Sequence, residues 1–117
     1  TIDLLDADGL HRGGRIAPSP ALRREPLHAR ATQLPEHGGQ RVAFADNTLD
    51  ALRSGCDGAA RGLIDSGLHD ATALLGESPG LLLHGGGVDA LFGADEVTMQ
   101  APSLVLEGLA VWARMAA

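Results

Sequence analysis

TIDLLDADGLHRGGRIAPS, residues 1–19, reads as two short strands folded about a turn. Ile2, Leu4 and Leu5 supply apolar groups to the first strand, and Asp8-Gly9 is a hairpin-type turn. The second strand, residues 10–17, passes through Gly13-Gly14, where the missing side chains predict a close backbone approach or a bulge. Pro18 and Pro20 then stop it. Asp3, Asp6 and Asp8 are not expected to act as one cluster, because strand alternation sets Asp3 opposite Asp6 and Asp8 is a turn residue. The stretch has neither an initiator Met nor a leader pattern, and it reads as the second half of a longer motif.

Outward from the hairpin, residues 21–34 show helical spacing at Leu27, Ala31 and Leu34. Pro26 sits awkwardly inside that span, so the helix either begins near Pro26 or kinks there. Residues 36–40 form a loop, and 41–44 a brief extended piece. Asn47 is the expected N-cap of the longest helix, with Asp50 in a capping-box variant. Leu52, Cys56, Ala60, Leu63, Ile64, Leu68, Ala71 and Leu75 continue an apolar stripe. Gly55, Gly58 and Gly62 each cost about 1 kcal/mol against Ala in a helix, which predicts a close packing partner. Residues 81–83, all Leu, read as a strand covered on both faces. A short helix (88–92), a strand (96–99) and a final helix (104–115) complete an α/β order with a thin mixed sheet that lacks a central strand.

Composition narrows the chemistry. The 117 residues suit one modest core, 44% of them hydrophobic, with Phe44, Phe92 and Trp112 as the aromatics. Net charge is −6, and no basic stripe with interleaved aromatics is present, which disfavours nucleic acid as a partner. Lysine is absent, excluding a Walker A lysine, a Schiff base and a kinase strand lysine. Arg23-Arg24 reads as a solvated helix face rather than a phosphate site. Cys56 is the sole cysteine and is expected to be a buried structural thiol in a cytoplasmic protein. No apolar run approaches the roughly 20 residues that span a bilayer.

Three features carry candidate chemistry. Gly85-Gly86-Gly87, between an apolar run and a helix, has the shape of a nucleotide-binding turn, although it is not GxGxxG. Thr48, at the first turn of the long helix, can offer its hydroxyl beside unpaired backbone N–H groups to an anion, or be a capping residue only. The five histidines lack metal-ligand spacing, and His84 reads as a structural group.

Together these pieces resemble the C-terminal half of type III pantothenate kinase, the actin-like family that includes the Bvg accessory factor proteins. The resemblance rests on residues 1–19, "LHARATQLPE", "NTLDALRSGC", "LLLHGGG" and "PSLVLEGLAVWA". It implies a ribonuclease H-like domain of the actin-like ATPase superfamily, with a mixed sheet flanked by helices and lacking its first strand. Residues 1–117 would be the C-terminal domain of a two-domain kinase that phosphorylates pantothenate at the start of coenzyme A biosynthesis. Thr1-Ile2-Asp3 matches the last three positions of the family's Asp-x-Gly-Thr-Ala-x-Thr-x-Asp phosphate motif. The catalytic Asp and the ligands of a monovalent cation (potassium or ammonium) fall upstream, so the fragment alone is expected to be inactive. Thr48 matches the pantothenate-contacting threonine, and Gly85 and Gly86 match the glycines near the adenosine of ATP, which binds with magnesium. Thr1 would serve the ATP phosphates. The resemblance further implies a homodimer and the N-terminal half of the enzyme as partners. Ser19, Pro26 and Asp57 depart from the family pattern, the last two at positions that bear on helix geometry. A non-catalytic Bvg accessory factor-like regulator or interaction module is the alternative. Another actin-like kinase or ATPase would fit the glycine turn but not "NTLDALRSG".

Overall fold

The expected hairpin forms as β1 (Ile2–Leu5) and β2 (His11–Arg15), paired antiparallel from Ile2 opposite Arg15 to Leu5 opposite His11. Both outcomes expected of the paired glycines occur. The register shifts between Leu4 and Leu5, opposite Arg12. At Gly14, an added Cβ would lie 2.6 Å from Asp3 Oδ1 and 2.8 Å from the Ile2 carbonyl oxygen. Asp6 shapes the turn, accepting hydrogen bonds from the N–H groups of Asp8 and Leu10 at 3.1 and 2.9 Å.

The computed structural model describes residues 1–92 and 99–117. They fall into two units, Thr1–Pro79 and Gly80–Ala117. In the first unit, α1 (Pro20–Arg30) starts earlier than its periodicity suggests, because the Ser19 hydroxyl caps it by accepting from the Leu22 N–H at 3.3 Å. Pro26 lies inside this helix, which continues past it, so of the two expectations the late start does not occur. The helix stops at Arg30 rather than residue 34, and a turn follows in which the Leu34 N–H donates to the Ala31 carbonyl at 2.8 Å.

The long helix α2 (Thr48–Leu75) is capped by Asn47, as its sequence predicts, and ends on Gly76. It packs against α1 and against β1. Ile2 lies over Gly67, 3.8 Å from where a Cβ would sit, whereas nothing lies within 4 Å of that point at Gly55, Gly58 or Gly62. The expected close partner of those three glycines is therefore not found among the described residues. Asp57, an unusual residue for its place, is only 2% exposed and leaves the helix unbroken. It accepts a hydrogen bond from Arg53 Nε at 2.6 Å, one turn back. Among the described residues, Cys56 and Ala71 are the buried apolar ones, so Cys56 is indeed the buried thiol expected.

Two polar fastenings hold the remaining pieces to α2. Arg15 of β2 donates to Ser66 Oγ at 3.2 Å and pairs with Asp70. Residues 35–42 run back along the first turns of α2, and the expected extended piece at 41–44 is bends and irregular chain instead. There, Ser54 Oγ accepts from the Val42 N–H at 2.9 Å and donates to the Gln40 carbonyl at 3.4 Å. Side-chain bonds take the place of a strand partner.

In the second unit, α3 (Val88–Leu91) and α4 (Leu104–Met115) form where expected. The strand expected at residues 81–83 is reduced to one parallel bridge between Leu83 and Gln100. Its hydrogen bonds are Leu83 N–H to the Met99 carbonyl at 3.1 Å and Ala101 N–H to the Leu83 carbonyl at 2.9 Å. Residues 96–98 of the other expected strand lie outside the described residues. The described fold is thus α/β with a two-stranded antiparallel sheet and helices. Among the described residues, no helix is long and apolar enough to cross a membrane.

Gly38 and Gly39 offer a controlled comparison, because both have positive φ, +85° and +89°. An alanine Cβ at Gly39 would lie 2.5 Å from the Leu49 carbonyl oxygen, whereas at Gly38 it would meet only the Leu49 side chain, at ordinary contact distances of 3.5 and 3.9 Å. Gly38→Ala should cost about 1–2 kcal/mol of backbone strain. Gly39→Ala should add an overpacking cost of about 1–3 kcal/mol. Thermal unfolding of the two variants in the full-length protein measures the difference, and equal melting temperatures would contradict the close approach at Gly39.

Candidate functional site

Thr48 occupies the first position of α2 and is exposed. Four N–H groups at a helix start lack intrahelical acceptors. Here the Asn47 side chain accepts from the Asp50 N–H at 2.9 Å, while the Ala51 N–H already reaches the Asn47 carbonyl at 3.0 Å. The N–H groups of Thr48 and Leu49 complete the first turn beside the Thr48 hydroxyl. The turn can therefore present two N–H donors and one hydroxyl to a small acceptor-bearing ligand, with the positive end of the helix dipole behind them.

The acidic partner in the cap does not act as a capping box does. Rather than reaching the Asn47 N–H, Asp50 accepts from Asn47 Nδ2 at 3.0 Å and from the Gln40 N–H at 2.7 Å. These two bonds, the Asn47 one first, hold its carboxyl below the usual aspartate range against the opposing effect of desolvation. Asp50 thereby ties the preceding loop to the helix start. Sequence spacing identified the residue but not its second partner.

The other candidate residues lie elsewhere. Thr1 is exposed at the head of β1, and Asp3 pairs with His11 at 3.0 Å. Asp6 is held below the usual range chiefly by the Leu10 N–H, with Arg12 at 3.2 Å assisting. Asp3, Asp6 and Asp8 thus remain separate groups. Among the described residues, no three His, Cys, Asp or Glu side chains gather to hold a metal ion. With Ile2 lying over Gly67, Thr1 and Thr48 are separated by about 28 Å along α2 at about 1.5 Å per residue. The structure does not bring them together within one chain.

Gly85 and Gly86 belong to the second unit. Gly85 has φ +103° and opens a turn whose carbonyl accepts from the Val88 N–H at 3.4 Å. Nothing lies within 4 Å of an added Cβ at either glycine, and His84 beside them is exposed. Their backbone is accessible to a ligand.

The arginine pair at positions 23 and 24 corrects the expectation of a solvated face. Arg23 Nε donates to the Pro18 carbonyl at 3.1 Å, and Arg24 is only 6% exposed. Arg24 Nη1 donates to the Gly38 carbonyl at 2.8 Å and Nη2 to the Pro35 carbonyl at 3.3 Å. Its acceptors lie 14 and 11 residues ahead, beyond any helical spacing rule. Beside this network, an open apolar groove runs between α1 and α2 past Leu22, Leu27, Leu52 and Cys56, with Arg23 and Arg30 among its lining residues.

The Asp50 carboxyl gives the cap a pH signature. Its folded value lies below the unfolded one of about 3.9, so its stabilisation is complete above that value and fades as pH falls through the folded value. In Asn47→Ala, the main cause of the lowering is gone. The Asp50 carboxyl should then titrate closer to 3.9, and the helix should lose about 0.5–2 kcal/mol. Carboxyl NMR titration of both proteins tests this; an unmoved Asp50 would show that Asn47 does not hold it.

Comparison with known proteins gives these positions their context. The sequence profile of the type III pantothenate kinase family matches residues 1–70. A type III pantothenate kinase of Stenotrophomonas maltophilia (strain K279a) is 59% identical over 117 residues, covering 97% of this chain and 46% of that protein. Those of Xylella fastidiosa (strain 9a5c) and Xanthomonas axonopodis pv. citri (strain 306) are 55% and 56% identical, with 48% of each relative covered. The chain spans about half the length of the curated relatives it matches. With a family profile covering more than half of its residues and such identity along its whole length, the chain belongs to the type III pantothenate kinase family.

Proposed function

We propose that residues 1–117 form the C-terminal domain of a two-domain kinase that transfers the γ-phosphate of ATP to pantothenate, the first step towards coenzyme A. The observation that carries this reading is the 55–59% identity to type III pantothenate kinases along the whole chain. It does not favour a non-catalytic regulator. The domain is read as ribonuclease H-like, with β1 and β2 as part of a mixed sheet whose first strand precedes residue 1. The protein is read as cytoplasmic.

In this reading, Thr48 donates its hydroxyl to pantothenate at the exposed start of α2, and Asn47 already caps the helix, leaving Thr48 available. Thr1, and Asp3 beside it, form the end of the phosphate-binding strand, so Thr1 faces ATP. The uncovered backbone at Gly85 and Gly86 receives the adenosine. Phosphoryl transfer depends mostly on positioning and charge neutralisation, and these residues would supply positioning. Magnesium, bound with ATP, and potassium or ammonium would supply positive charge. The family resemblance assigns the cation ligands to the part of the enzyme before residue 1.

The separation of Thr1 from Thr48 supports a homodimer. Reacting atoms must approach to about 3 Å, and a molecule as small as pantothenate cannot bridge about 28 Å along α2. A second copy would therefore contribute Thr48 to the site containing Thr1. The exposed face of α2 at Gly55, Gly58 and Gly62 is open to such a neighbour.

The test is Thr48→Val in the full-length protein, assayed for ATP-dependent phosphorylation of pantothenate. The change keeps the β-branched shape and removes one hydroxyl, worth about 0.5–1.5 kcal/mol for a neutral hydrogen bond. The pantothenate KM or kcat should worsen several-fold, while the ATP KM and Tm stay nearly constant. A lower Tm with unchanged pantothenate kinetics would make Thr48 structural. Absence of pantothenate phosphorylation by the unmodified full-length protein would overturn the activity itself.

A further inference from the structure

We infer that Arg24 is a positioning residue for the pantothenate site, acting through residues 38–40 on the first turn of α2; this rests on the assignment of Thr48 to pantothenate. Three consecutive residues make the connection. The Gly38 carbonyl accepts from Arg24 Nη1 at 2.8 Å. Gly39 is pressed onto the first turn, where even a methyl group would come within 2.5 Å of the Leu49 carbonyl oxygen and 3.0 Å of Arg53 Cβ. The Gln40 N–H donates to Asp50 Oδ1 at 2.7 Å, and Asp50 in turn engages Asn47, the residue before Thr48. Arg24 Nη2 also holds the Pro35 carbonyl, so one guanidinium fixes both the entry and the centre of the loop.

The burial of Arg24 argues for a specific geometric demand. A guanidinium is costly to take out of water, and here both of its acceptors are backbone carbonyls. Arg24 Nε is buried with no hydrogen-bond partner among the described residues. An apolar residue would fill this space without that cost, but it would leave two carbonyls without their donor. Lysine would preserve the charge, yet its single ammonium lacks the planar fork that reaches two carbonyls in fixed directions. The helix start that presents Thr48 is thus held from outside the helix, by a residue on α1.

Arg24→Lys and Arg24→Met, each in the full-length protein, test the inference through two separate readouts. The first is hydrogen exchange at the Gln40 and Asp50 N–H groups; the second is the KM for pantothenate against that for ATP. In Arg24→Lys we expect both amides to exchange at least tenfold faster, the pantothenate KM to rise several-fold and the ATP KM to stay constant. Arg24→Met should show the same pattern more strongly if it folds, and Arg24→Lys suffices if it does not. Unchanged exchange at Gln40 and Asp50 in the folded lysine variant would overturn the connection. Faster exchange with an unchanged pantothenate KM would overturn the positioning role while leaving the loop contact in place, and the Thr48→Val kinetics would show separately whether Thr48 serves pantothenate. A loss of Tm with pantothenate and ATP KM values rising together would mark Arg24 as a general stabilising residue and overturn its positioning role.

Discussion

Residues 1–79 depend on the continuity of α2 (Thr48–Leu75), whose unbroken backbone hydrogen bonds provide the one rigid member to which everything else attaches. Its apolar burial is slight, Cys56 and Ala71 being its buried hydrophobic residues. Directional polar bonds take up much of the task that a larger core performs elsewhere. Arg15 fastens the hairpin to Ser66 and Asp70. Asp50 and Ser54 receive the loop that follows α1. Such bonds contribute about 0.5–1.5 kcal/mol each in net terms, less than burial of a large apolar side chain, but they fix direction. The arrangement specifies where the attached pieces point more than it adds bulk stability.

Much apolar surface stays uncovered. Ile16 is 88% exposed and Phe44 99%. On α4, Leu106, Trp112 and Met115 are exposed as well. This accords with the proposal that residues 1–117 are one domain of a larger, dimeric enzyme.

Local signals were legible where a residue acts on its own neighbourhood. Asn47 three residues before Asp50 marked the start of α2, and Gly13-Gly14 marked the close approach and bulge. The hairpin followed from Asp8-Gly9 and its flanking alternation. Signals failed where the partner lay far along the chain. Two adjacent arginines looked like a solvated face because the carbonyls of Pro35 and Gly38 cannot be seen from position 24. Leu81-Leu82-Leu83 has the composition of a buried strand, and among the described residues it forms a single bridge, from Leu83 to Gln100. Pro26 allowed a late start that does not occur: capping by Ser19 begins α1 upstream of the proline, and the helix continues past it. Of the site, Thr48 was placed correctly at a helix start, whereas its distance from Thr1 was set by tertiary packing of Ile2 over Gly67.

The two fastenings on α2 also impose a phase relation on the gene. Ser54 holds the loop and Ser66 holds the hairpin, so the residues between them act as a protractor as well as a spacer. One inserted or deleted residue between these points would rotate one attachment relative to the other by about 100° and shift it by about 1.5 Å. The loop and the hairpin would then face different sides of the helix, even if every substituted side chain were an excellent helix former. Within this segment, a change of side chain leaves that angle intact, whereas a change in the number of residues keeps it only in steps that return the helix to the same angle.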